Sequence, residues 1–152
     1  ERVTCFIRFA PDDESFAKQL HTVAQSKGLR CWLDEMPTSA SVRRGHLTST
    51  AYETEERVLL CASKASLTSP WINEELERTF ERERTIKAET GRDVRLLYPL
   101  NLDGFMFSGD WKHKQEKIVA KLAVDFVGWR RNSAKLEQEV TKLLAQLLGE
   151  KR

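Results

Sequence analysis

The chain has 152 residues, 32% of them charged and 40% hydrophobic, which is the make-up of one folded globular domain and not of a disordered segment. Lys plus Arg is 25 and Asp plus Glu is 23, and a net charge of +2 lacks the basic excess of a sequence-independent nucleic-acid binder. No apolar run reaches the ~20 residues of a membrane span, and no signal peptide is visible.

Val3 to Phe9 (VTCFIRF) predicts a first strand, ended by Ala10-Pro11-Asp12-Asp13. The Asp pair is a helix N-cap signal, and Phe16, Leu20, Val23 and Ala24 then recur at helical spacing until Gly28. Leu29 to Asp34 predicts a second strand and Glu35 to Gly45 a polar loop. A helix with a thin apolar stripe is expected over His46 to Thr54. Arg57 to Ala62 (RVLLCA) reads as a strand buried on both faces. Ser69-Pro70-Trp71 predicts the start of a long helix with Ile72, Leu76 and Phe80 buried, running to about Lys87 and stopped by Gly91. Val94 to Leu100 predicts a fourth strand, and Asn101 to Asp110 a loop. Lys114 to Leu122 predicts a helix and Val124 to Val127 a short fifth strand. Ser133 is the expected cap of a last helix with Leu136, Val140, Leu143, Leu144 and Leu147 on one face.

Strands alternating with helices predict a parallel sheet covered on both faces, in one domain over residues 1–152. A chain of this length buries a core without metal or disulfide staples. Cys5, Cys31 and Cys61 fall one on each of the first three strands and read as buried thiols of a reducing cytoplasm. Their spacing, and that of His21, His46 and His113, matches no zinc site. The start at Glu1 reads as an effector piece excised from a longer chain.

Ligands of open parallel sheets bind outside the carboxyl ends of the strands. The loop after the first strand has Pro11 and no glycine, so it cannot cradle a dinucleotide pyrophosphate. No P-loop or nucleophile elbow is present. Asp12 and Asp13 could mimic the acids of a phospho-receiver, but the loop after the third strand offers no Asp nucleophile. One carboxylate remains in an informative place. Glu75 follows Trp71 by four residues, so the two share a helix face near the active end of the sheet. Among the aromatics that could stack a base, Trp32 lies in a strand and reads as core.

The opening CFIRFAPDDESFAKQL, the stretch GLRCWLDE, the segment RVLLCASKASLTSPWINEEL, LLYPLNLD and the tail VDFVGWRRNSAKLEQEVTKLL together resemble a Toll/interleukin-1 receptor (TIR) domain of the bacterial type, over essentially the whole chain. The resemblance implies the TIR fold, a flavodoxin-like open five-stranded parallel sheet. It implies NAD+ as substrate, with Glu75 catalytic, Phe9, Ala10, Asp34, Met36 and Trp71 around the nucleotide, and no metal or cofactor. Where the family has Ser and Tyr after its FI pair, this chain has Arg8 and Phe9. Its BB loop, Met36 to Arg43, has no glycine before Gly45. These departures bear on turnover more than on fold.

Cleaving the nicotinamide–ribose bond develops positive charge on the ribose, which one carboxylate can stabilise. Nicotinamide leaves as a neutral molecule, so no general acid is needed. The first expectation is therefore an NAD+ glycohydrolase or ADP-ribosyl cyclase of bacterial anti-phage immunity or cell death. It would be cytoplasmic, joined to a sensor domain, and active when copies meet through the loop 35–45. The alternative is a non-enzymatic scaffold signalling by TIR–TIR self-association. A pocket that binds a nucleotide without cleaving it is a third.

Overall fold

The computed structural model describes residues 4–36, 57–108 and 115–151. Strands β1 (Thr4–Phe9), β2 (Arg30–Glu35), β3 (Arg57–Ala62), β4 (Leu97–Asn101) and β5 (Val124–Asp125) form one sheet in the order β2-β1-β3-β4-β5. Every pairing is parallel. Helices α1 (Glu14–Ser26), α2 (Lys64–Leu67), α3 (Ile72–Thr90), α4 (Gln115–Ala120) and α5 (Ser133–Lys151) lie between or after the strands. The parallel sheet is the one expected from the alternation, and its order is the flavodoxin-like one that the resemblance implied.

The pleat sends successive strand residues to opposite faces, and the core divides accordingly. One layer joins Cys5, Ile7, Leu59, Cys61, Tyr98 and Leu100 to Phe16 and Leu20 of α1 and to Val140, Leu143 and Leu147 of α5. The other joins Val58, Leu60, Ala62 and Leu97 to Ile72, Leu76 and Phe80 of α3 and Ile118 of α4. β3 is buried at all six positions, as its unbroken apolar run requires. The three cysteines are free, buried thiols on β1, β2 and β3.

Several boundaries differ from expectation, and each has a local cause. α3 starts at Ile72, not at Ser69 to Trp71, because the Ser69 hydroxyl accepts from the Trp71 amide and holds it in the preceding turn. The loop after β3 contains the short helix α2, closed by reciprocal bonds between Ser63 and Ser66. β4 starts at Leu97 and not at Val94; the Glu83 carboxylate of α3 takes the amides of Leu96 and Leu97. β5 stops at Asp125, whose side chain accepts from Val127 N and turns the chain. α4 ends at Ala120 and not at Leu122, and its expected first residue, Lys114, lies outside the described residues. The expected core residue Trp32 is 49% exposed, because β2 is an edge strand. The helix expected over His46 to Thr54, and most of the loop 35–45, lie outside the described residues. Among the described residues no helix is long and apolar enough to cross a membrane.

Candidate functional site at the carboxyl end of the sheet

β1 is apolar except for one inward charge. By the pleat, Arg8 belongs to the face that carries α3, and the strand register sets it beside Asp34 of β2 and Leu60 of β3. The Arg8 side chain is 3% exposed. A guanidinium so placed must find acceptors. Arg8 Nε donates to Glu75 Oε1 at 2.7 Å, and Nη2 donates to Glu75 Oε2, so the two planar groups meet as a fork. Arg8 Nη1 lies 2.8 Å from Asp34 Oδ1, out of line for a hydrogen bond but close enough for a strong ion pair, and reaches the Glu35 carbonyl at 3.5 Å. Glu75 and Asp34 are buried with it.

Glu75 reaches this position because α3 begins just after the C-terminal edge of β3. Its amide closes the first turn onto the Trp71 carbonyl at 3.0 Å. Glu75 falls among Ile72, Leu76, Thr79 and Phe80 on the buried side of α3, while Glu74 pairs with Arg78 at the surface. Two adjacent glutamates thus have opposite fates, decided by helical phase alone.

The residues expected around a nucleotide divide. Ala10 and Met36 pack in the same apolar layer as Ile72 and Leu76, and the Met36 amide extends the β1–β2 ladder by donating to Phe9 O at 2.7 Å. Asp34 joins Glu75 through Arg8. Phe9 is buried on the opposite face of the sheet, with Phe16 and Leu20. Trp71 is partly buried one helical turn before Glu75. The residue missing from the expected site is Arg8, noted in the sequence only as a departure. The signal for it was a lone charge inside an otherwise apolar run, beside a second strand that carries Asp34 and ahead of a helix that carries Glu75.

The same end of the sheet holds an open hollow of about 420 Å³, lined by Asp12, Asp13, Ser63, Lys64, Thr68 and Asp103, on the loops after β1, β3 and β4. Ser63 Oγ donates to Asp13 Oδ2 at 2.5 Å, and the Lys64 amide donates to Asp103 at 3.0 Å. Burial raises the Asp13 carboxyl above its ordinary range, the charges of Asp103 and Asp12 raise it further, and the Ser63 bond and Arg130 oppose the rise. Two of the thiols are unsuited to nucleophilic work: burial pushes Cys31 up to about 11 and Cys61 well above the usual thiol range. Among the described residues no group of three or more His, Cys, Asp or Glu could hold a metal ion.

Comparison with known proteins matches residues 5–144 to the family model described as "TIR domain". No curated protein matches the chain. A diflavin flavoprotein A3 from Nostoc sp. shares the fold at a TM-score of 0.53 with 10% identity, over 99% of this chain and 97% of that one. The TIR domains of the activated Roq1 resistosome, described as directly recognising the pathogen effector XopQ, align over 94% of this chain and 84% of theirs, with 19% identity and a TM-score of 0.47. A type II dehydroquinase from Propionibacterium acnes aligns over 93% and 98%, with 9% identity and a TM-score of 0.49. Similarity at these identities speaks to fold alone. With the family model spanning nearly the whole sequence, the chain belongs to the TIR domain family.

Proposed function

We propose that this TIR domain cleaves the nicotinamide–ribose bond of NAD+ when copies of it assemble, with Glu75 as the working carboxylate. The observation that carries this reading is the placement of Glu75: a buried carboxylate at the carboxyl edge of a parallel sheet, in the first turns of the helix after its central strand. The carbon–nitrogen bond breaks with its electron pair passing to the pyridinium nitrogen, so nicotinamide leaves neutral. The ribose carbon left behind is oxocarbenium-like, and a fixed carboxylate beside it stabilises that charge. Water then adds at this carbon and releases a proton, giving ADP-ribose; attack by the adenine ring would give a cyclic product instead. In this reading Asp34, Ala10, Met36 and Trp71 form the nucleotide pocket, and Phe9 supports it only from the opposite face of the sheet. The partners are NAD+, further copies engaged through the loop 35–45, and a sensor domain in the full-length chain. The setting is the bacterial cytoplasm, in anti-phage defence or cell-death signalling.

The test is to cluster the domain on a multivalent support, add NAD+ and follow nicotinamide. The native chain should release it, and Glu75→Gln should lower the rate by roughly 100-fold. Silence of the clustered native chain would sink the reading, whereas release that survives Glu75→Gln would sink only the assignment of Glu75.

One observation favours a second reading. Both oxygens of Glu75 accept from Arg8. A carboxylate engaged in this way suits a scaffold that signals by self-association without chemistry. Clusters that assemble by light scattering yet leave NAD+ intact would select it.

A further inference from the structure

We propose that Arg8 is a lock on Glu75: the guanidinium holds the carboxylate in a buried fork, and the domain cleaves its substrate only after Arg8 has been displaced. This rests on the NAD+ reading above and adds to it what controls the site.

Three features of the geometry carry the inference. The first is occupancy. Arg8 meets both carboxylate oxygens of Glu75, one through Nε and one through Nη2, so the fork blocks the approach a ribose hydroxyl would need. The second is charge. A carboxylate stabilises a developing cation by its uncompensated negative charge, and a guanidinium in contact with it cancels much of that field at a site beyond the pair. The third is anchoring. Arg8 lies on β1, between β2 and β3, with its third nitrogen held by Asp34 on the neighbouring strand. Because Asp34 is held on a paired strand, the lock opens by rotation of the Arg8 side chain about its own bonds, away from Glu75.

The arrangement is a two-state switch. A ligand or partner opens it only to the extent that it binds the open state better than the closed one. Asp34 is the natural holder of the displaced guanidinium, since it already pairs with Nη1.

The experiment compares the clustered native chain with Arg8→Ser, Arg8→Lys, Glu75→Gln and the double variant Arg8→Lys with Glu75→Gln. Circular dichroism establishes which of them fold. Arg8→Ser removes the fork from Glu75 but also takes a cation from beside two buried carboxylates, and it is the variant at risk of unfolding. Arg8→Lys keeps the positive charge as a single point and cannot bridge both Glu75 oxygens and Asp34 together, so it weakens the lock in a folded chain. The expected result is nicotinamide release by Arg8→Lys at least tenfold faster than by the native chain at equal clustering, with the gain abolished when Glu75→Gln is added. A purely structural role for Arg8 cannot produce a gain that depends on Glu75. Release by Arg8→Lys at or below the native rate, while native release depends on Glu75, overturns the lock and leaves the NAD+ reading standing. No release by any folded variant overturns both.

Discussion

Ser63 works for three elements at once. Its hydroxyl accepts the Ser66 amide at 3.2 Å, its own amide donates to Ser66 Oγ at 3.0 Å, and its hydroxyl proton goes to Asp13 at the start of α1. Asp13 was expected to cap α1, but its side chain makes no cap bond and instead ties the α1 entrance to the end of β3. Its carboxyl is raised above the ordinary 3.8 chiefly by burial. The folded chain therefore binds this proton more tightly than the unfolded chain, and stability falls as pH rises from 3.8 through the raised value. Asp13→Asn keeps an acceptor for Ser63 and removes the charge. It should be the more stable variant at pH 7, well above the ordinary carboxyl range, because burial disfavours the charged form of Asp13. Well below pH 3.8 the difference should vanish, because both side chains are then neutral. Urea unfolding at several pH values measures this, and a gain independent of pH would contradict it. Residue-level detail of this kind was the least legible part of the sequence. The position of Glu75 followed from helical spacing after Trp71, but the partners of Asp13 and of Arg8 come from strands and loops distant in sequence. No local pattern encodes a 67-residue separation such as that between Arg8 and Glu75.

Helix and strand order was readable because each element carries its own periodicity and punctuation. Gly28 at φ +92° closes α1, with the Leu29 amide bonded back to Ala24 at 3.0 Å, and Gly91 at φ +76° closes α3. Helix starts were less readable, since two polar residues in a row compete for the cap. Asn132 and Ser133 are such a pair. The Asn132 side chain accepts from the amides of Ala134 at 3.1 Å and Lys135 at 3.3 Å, so it caps α5, while Ser133 is the first residue inside the helix. Asn132→Ala should cost about 1 kcal/mol, and Ser133→Ala less than half of that. Thermal or urea unfolding of the two variants separates the assignments, and the opposite ranking would return the cap to Ser133.

At the scale of the molecule, one sheet serves two apolar layers that meet only through its strands. The layer under α1 and α5 includes Leu143, and the layer under α3 includes Leu76, both almost fully buried. Each leucine cut to alanine removes buried methyl groups and leaves a partly unfilled space, a loss of about 2–5 kcal/mol per site. The two sites share no packing partner, because the backbone of the sheet lies between the layers. Their costs should then add to within about 0.5 kcal/mol in the double variant Leu76→Ala with Leu143→Ala. Unfolding should nevertheless remain a single transition, since β3 is buried on both faces and neither layer survives without it. Tryptophan fluorescence and far-ultraviolet circular dichroism followed through urea unfolding test both statements. The milder pair Leu76→Val and Leu143→Val serves where the alanine double is too unstable to measure. Transitions that separate between the two probes would mean that α3 and its layer come apart independently of α1 and α5. Glu75 and Arg8 would then lose their register at a stability well below that of the whole domain, and assembly would have a low-cost route to the open state of the site.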